Sequence, residues 1–226
     1  MNSSVKGWHR ACPFFLGYIS SAVAFGVLGA TTGLSIYQSM AMSVCVFAGA
    51  SQFMALNLIQ QGVHISEIIL ATIVLNLRHL LMSTVLSQRV NGGGAIKSLV
   101  SFGITDETFV LSTCGSGGTM ATARFAGIAL TAYSGWVGGT VLGAVFANVL
   151  PQAVMKGMGI SLYAMFIALL TPTLKKSGRI ALVAVLSAII NWALSVELTL
   201  SGGWSIVIAT MLASAAGALI YREGPK

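Results

Sequence analysis

The chain has 226 residues, of which 56% are hydrophobic and only 8% charged. A soluble domain carries about 25% charged residues, so a water-soluble fold is excluded and the bilayer must serve as the solvent. The formal charge of +7 does not point to nucleic acid: the basic residues fall mainly between oily runs, and no basic patch is interleaved with aromatics.

The first residues, Met1 to Pro13, are short and basic, and the oily run after them is too long for a signal-peptide core. It reads as a first membrane helix, Phe14–Leu34. A second, Met40–Ile59, contains Ala48-Gly49-Ala50-Ser51-Gln52-Phe53, where four small residues in a row weaken the helix and let backbones approach closely. An interruption is expected there. The third, Ser66–Leu86, is long enough to span yet carries Asn76, Arg78 and His79 near its middle. The fourth, Ile96–Cys114, has Asp106 and Glu107 at its centre, after a threonine that resembles a helix start. A polar loop, Gly115–Arg124, precedes a fifth helix, Gly127–Leu150. The sixth, Ile160–Thr171, is short and ends at Pro172; Arg179–Leu198 and Trp204–Tyr221 complete the set. Gly135, Gly139 and Gly143 on the fifth helix, and Gly29 with Gly33 on the first, mark close helix packing. Trp8 and Trp204 fit interface anchors, and Trp192, beside Asn191, is expected in core packing, with lining of a cavity as the alternative. Cys12, Cys45 and Cys114 are scattered, so neither a disulfide framework nor a zinc site is expected, and no metal or cofactor.

The fold expected is therefore an all-α polytopic membrane protein of seven or eight membrane helices, forming one transporter domain. Its halves resemble each other. Val27-Leu28-Gly29-Ala30 recurs 114 residues on as Val141-Leu142-Gly143-Ala144, Phe53-Met54-Ala55-Leu56 recurs 113 on as Phe166-Ile167-Ala168-Leu169, and Leu75-Asn76 recurs 115 on as Ile190-Asn191. Repeats of about 14–112 and 127–221 are implied. Matching loops carry opposite bias: Lys175, Lys176 and Arg179 lie in the loop that matches Gln60–Glu67, which has no Lys or Arg, and Arg89 with Lys97 lie in the loop that matches Ser201–Gly203, which has none either. That favours an inverted duplication with a re-entrant fourth segment. Eight full crossings are the alternative; each arrangement puts eight basic loop or tail residues inside and three outside, so the positive-inside bias does not choose. In transporters built from repeats, substrate sits near the midplane where short or broken helices meet.

An arginine at that depth costs about 2.5–3.5 kcal/mol on insertion scales, so Arg78 must be paired, wetted or used. Thr72, Asn76, His79 and Ser83 follow i, i+4, i+7, i+11 and share one helix face; this polar stripe lines either a substrate cavity or a neighbouring helix. Arg78 lies about 160° around from Asn76. It therefore pairs across another helix boundary, or the backbone unwinds at Asn76–His79. Glu67 is about 16 Å along the helix and out of reach, which leaves Asp106 and Glu107 as partners. A structural ion pair and a clamp for a substrate carboxylate are both open for Arg78. His79 titrates in the physiological range when unperturbed, which makes it, with Asp106 and Glu107, a candidate for proton coupling. Ser51 and Gln52 are candidates for side-chain contacts to a zwitterion. The substrate-binding set is thus Ser51, Gln52, Asn76, Arg78 and His79.

These stretches resemble the AzlC family, the large subunit of bacterial branched-chain amino acid exporters. The resemblance rests on Gly49-Ala50-Ser51-Gln52-Phe53 with Ala55-Leu56, on Glu67 through Leu70-Ala71-Thr72 into Asn76-Leu77-Arg78-His79-Leu80-Leu81-Met82-Ser83, and on Asp106-Glu107-Thr108-Phe109, with Phe166-Ile167-Ala168-Leu169-Leu170 before Pro172. Beyond Thr173 the match is one of general character. The resemblance implies efflux of valine, leucine, isoleucine or a similar neutral amino acid driven by the proton-motive force, a small hydrophobic AzlD-type partner subunit, and a place in the bacterial inner membrane. A structural subunit would leave the intramembrane Asn-Leu-Arg-His unexplained. A membrane-embedded enzyme would need catalytic ligands that His9, His64 and His79 are not spaced to supply.

Overall fold

A computed structural model describes residues 18–113, 120–151 and 177–221, with scattered positions between 152 and 176. Trp8, Cys12, Cys114 and, in the sixth segment, Phe166, Ala168 and Leu169 lie outside the described residues. The described residues are mainly helical, with one isolated β-bridge between Val90 and Met120, and four helices are long and apolar enough to cross a membrane: Ile65–Arg89, Thr122–Phe146, Gly178–Val196 and Gly202–Ile220. The chain divides into two compact units, residues 1–53 with 76–161, and residues 54–75 with 162–226.

In the first unit, α1 (Tyr18–Thr31) ends at Gly33. The left-handed φ of +91° there lets Leu34 N–H reach back to Gly29 O at 3.0 Å. α2 (Ile36–Val46) opens on a capping box: Gln38 N–H donates to Ser35 Oγ and Ser35 N–H donates to Gln38 Oε1. It stops at Phe47, whose φ of +40° is strained for a bulky residue. Burial holds it: the Phe47 ring is 1% exposed and meets Tyr133 edge-on at 5.1 Å and Phe102 at 6.1 Å. α3 (Gly49–Gln60) then begins. The expected interruption of the second segment is real but lies at Phe47–Ala48, so Ser51 and Gln52 belong to the first turns of α3. Gly49 is required because a Cβ there would fall 2.7 Å from the Trp136 ring.

α4 (Ile65–Arg89) runs unbroken through Asn76, Arg78 and His79, so of the two readings of Arg78 the unwound one is ruled out. The fourth segment is two short helices, α5 (Gly94–Ser101) and α6 (Asp106–Thr113). Thr105 caps α6: Thr108 N–H donates to Thr105 Oγ1, and Thr105 N–H donates to Thr108 Oγ1 at 2.7 Å. α7 (Thr122–Phe146) starts earlier than expected and takes in Arg124, which the sequence placed in a loop.

α7 packs on α1 at van der Waals limit. A Cβ on Gly143 would sit 2.1 Å from Val23 O, one on Gly26 2.0 Å from Thr140 O, and one on Gly139 2.6 Å from Ala22 Cβ. Two of the three obstacles are backbone, which cannot rotate away. Gly143→Val is therefore expected to separate α1 from α7 and destabilise the fold by more than the about 1–3 kcal/mol usual for overpacking. The check is a thermal melt in detergent; a midpoint equal to wild type would mean the helices do not meet as described.

In the second unit, α8 (Gly178–Val196) and α9 (Gly202–Ile220) form a hairpin, with Gly217 admitting Val183. Leu58, Ala71 and Val207 make its buried cluster. Ser201 Oγ donates to Glu67 Oε2, placing that carboxylate beside the N-terminus of α9, where the helix dipole favours it. Gly203 leaves the room, since a Cβ would meet Glu67 Cβ at 2.9 Å. Trp192 is 59% exposed, so it does not pack in a protein core.

Candidate functional site

The polar stripe of α4 faces inward as its spacing predicts. Thr72, Asn76, His79 and Ser83 are each half-buried, whereas Ile73, Leu77 and Leu80 on the other side are exposed. That contrast is what a bilayer demands, because polar groups facing hydrocarbon would stay unsatisfied.

Two interruptions and one unbroken helix bring the site together within the first unit. The break before α3 positions Ser51, the break before α6 positions Asp106, and α4 supplies Asn76 and Arg78. Asn76 Nδ2 donates to Ser51 Oγ at 3.1 Å, and Ser51 Oγ donates in turn to Ala48 O at 2.9 Å. Arg78 Nη1 lies 2.9 Å from Asp106 Oδ2, with the two side chains 30% and 23% exposed. Of the two acids expected as partners, the ion pair takes Asp106. Asp106 and Glu107 occupy the first turn of α6, where the N-terminal dipole stabilises negative charge; Glu107 is half-buried. His79 is half-buried on the same helix as Arg78, with Arg78 occupying the position between it and Leu77.

Two polar atoms of this cluster are buried without a hydrogen-bond partner among the described residues: Asn76 Oδ1 and Arg78 Nε. Leaving such a group unsatisfied costs about 1–3 kcal/mol, and more when it is charged. One is an acceptor and the other a charged donor. A guanidinium that spends only Nη1 on Asp106 keeps a fork suited to a carboxylate, and an amide oxygen is a partner for an ammonium. The cluster can thus meet both ends of a zwitterion.

Gln52 is placed differently. It is 1% exposed, and both ends of its amide are engaged. Nε2 donates to Ser43 Oγ at 3.2 Å, and Oε1 accepts from Trp136 Nε1 at 2.9 Å. Ser43 Oγ and Thr140 Oγ1 are 2.8 Å apart, and Thr140 Oγ1 donates to Trp136 O at 2.8 Å. With Thr140's hydrogen so used, Ser43 must donate to Thr140. The four residues close a ring in which each donor has an acceptor, buried between α2, α3 and α7. Sequence reasoning missed Ser43, Trp136 and Thr140. No local pattern could reveal the contacts that close the ring, because Trp136 is 84 residues from Gln52 and Thr140 is 97 from Ser43. Among the described residues no group of three or more His, Cys, Asp or Glu is placed to hold a metal ion.

Comparison with known proteins points the same way as the motifs. The family model described as "AzlC protein" matches residues 13–150. An uncharacterized membrane protein of Archaeoglobus fulgidus is 36% identical over 173 residues, 75% of each chain. The inner membrane protein YgaZ of Escherichia coli is 29% identical over 80% of this chain and 78% of its own. The branched-chain amino acid transport protein AzlC of Bacillus subtilis is 26% identical over 89% of this chain and 78% of its own. No solved structure matches.

Proposed function

The chain belongs to the AzlC family and is a multi-pass membrane protein, and on that premise we propose that it is a secondary transporter exporting branched-chain or similar neutral amino acids. Valine, leucine and isoleucine are the leading substrates and methionine a fourth. The observation that carries the reading is the pair of buried, unpartnered atoms Asn76 Oδ1 and Arg78 Nε beside the Arg78–Asp106 ion pair, at the meeting of two helix breaks with a spanning helix. In this reading Arg78 holds the substrate carboxylate, Asn76 and Ser51 bind the ammonium end, and Gln52 shapes the pocket wall through its hydrogen-bonded ring. Exchange of protons at Asp106, Glu107 or His79 couples export to the proton gradient. A small hydrophobic subunit of the AzlD type completes the active transporter. The relative named as a branched-chain amino acid transport protein supports the substrate class.

The reading extends to a duplicated, inverted helix set, with repeats of about 14–112 and 127–221. Asn191, which the repeat aligns with Asn76, also buries an Oδ1 without a partner among the described residues, in support of equivalent roles in the two halves.

The test is counterflow in proteoliposomes holding the purified chain, with and without its small subunit, under an imposed pH step. Leucine, isoleucine and valine are expected to exchange, and a gradient is expected to drive net flux. No movement of any neutral amino acid in either preparation would overturn the assignment.

A further inference from the structure

Apart from the Arg78 cluster, the first unit contains a cavity of about 240 Å³ between α4, α5 and the start of α7. Drug-sized ligands occupy pockets of about 300–1,000 Å³, so this one suits a smaller molecule. Its floor is apolar: Leu86, Val90, Ile104 and Phe125 belong to one buried cluster. Its rim is polar. The hydroxyls of Ser83, Thr84, Ser87 and Ser101 each donate to a backbone carbonyl of their own helix, at 2.6–2.9 Å. With their hydrogens committed, these oxygens face an incoming group as acceptors. The lining contains one cation, Lys97, and no acid. Lys97 Nζ donates to Ser87 O at 2.6 Å, which orients the ammonium and leaves two of its three N–H bonds unspent.

The three surfaces match three parts of one molecule. Lys97 fits a carboxylate, the acceptor hydroxyls fit an ammonium, and the apolar floor fits an aliphatic side chain. The cavity also continues the α4 stripe: Ser83 is its last member, and Ser87 is one further turn along. From Asn76 to Ser87 is 11 residues, about 16 Å along the helix.

We propose that this cavity is a vestibule that binds a neutral aliphatic amino acid before or after its passage through the Arg78 cluster. The proposal rests on the amino acid transport reading and adds to it a second binding site, with Lys97 as the carboxylate ligand.

The experiment is equilibrium binding of radiolabelled leucine to the full chain in nanodiscs, alongside proteoliposome flux, for wild type, Lys97→Gln and Lys97→Arg. Glutamine keeps a donor for Ser87 O and removes the charge; arginine restores it. Two probes dissect the contacts: leucinol, which lacks the carboxylate, and 4-methylpentanoate, which lacks the ammonium. Wild type is expected to bind two leucines per chain. Lys97→Gln is expected to weaken one of them about tenfold, the scale of one lost hydrogen bond to a charged group, and to raise the flux KM with little change in kcat. Leucinol binding should be unaffected, and Lys97→Arg should recover leucine binding. If wild type transports leucine but binds one per chain, or if Lys97→Gln matches it with both leucine and leucinol, the vestibule is overturned while the transport function stands. If wild type neither binds nor transports a neutral amino acid, both fall together.

Discussion

Arg78→Ala is expected to reduce amino acid flux at least about a hundredfold, given two lost hydrogen bonds to a charged group at about 1.5–3 kcal/mol each, while the protein remains membrane-inserted. Alanine, however, also removes the partner of Asp106, so a purely structural role would predict loss as well. Arg78→Lys separates the two. Lysine carries the charge that Asp106 needs but has no second donor corresponding to Nε and no planar fork. If Arg78 serves only the ion pair, Lys should approach wild type in both stability and flux. If the guanidinium holds substrate, Lys should melt near the wild-type midpoint yet transport little. The measurement is a detergent thermal melt paired with proteoliposome flux. A lysine variant with wild-type flux would assign Arg78 to structure alone and remove the carboxylate clamp from the mechanism. Asp106→Asn complements it: neutralising the acid leaves the guanidinium unopposed, which should tighten binding of the carboxylate and slow its release.

The second large effect is expected at Gln52. Gln52→Leu preserves the approximate volume of a side chain that is 1% exposed but deletes both members of its amide. The Trp136 indole N–H then loses its acceptor in a fully buried place, while the Ser43 hydroxyl loses the Gln52 donor but keeps its bond to Thr140. One buried donor left unsatisfied costs about 1–3 kcal/mol, and a loss of that size is expected. Trp136→Phe removes the orphaned donor instead of creating one. The double variant should therefore be more stable than the sum of the singles by about 1–2 kcal/mol, as expected for residues sharing one network. Additive effects would show that the ring does not act as a unit. A Gln52→Leu protein of unchanged stability but altered competition among amino acids would move Gln52 from the wall of the site to its contact surface.

Both predictions bear on how the site is held open. Two helix breaks would normally be costly in a membrane, because each frees backbone groups that lipid cannot satisfy. Here the Thr105–Thr108 cap repairs the break before α6 with side chains. Phe47 is held in its left-handed conformation by the aromatic rings around it. The glycines that let α1 and α7 meet supply the rigid frame behind that cluster. The site is therefore built from deliberate discontinuities anchored on a tightly packed helix pair.

Much of this was legible in the residue order. Composition decides the solvent, since a chain this poor in charge has no way to cover itself in water. The 3.6-residue period of Thr72, Asn76, His79 and Ser83 is a property of one helix, so the inward stripe could be read directly. The cap at Thr105 is equally local, because its partner stands three residues away. What folding alone decided are the contacts between distant positions. Whether Arg78 would meet Asp106 or Glu107 depends on how α6 is turned toward α4, and adjacent acids look alike in sequence. From the sequence, Gln52 is expected to offer a side-chain contact beside an interrupted helix; that Ser43 and Trp136 engage its amide, with Thr140 closing the ring, is set by the approach of α2, α3 and α7. The break lies at Phe47 and not among the small residues that follow, because helix propensity there is outweighed by the burial of an aromatic ring. Hydrophobicity and helical period act over a few residues and are written along the chain, whereas hydrogen-bond partnership and steric fit act through space and exist only once the helices have met.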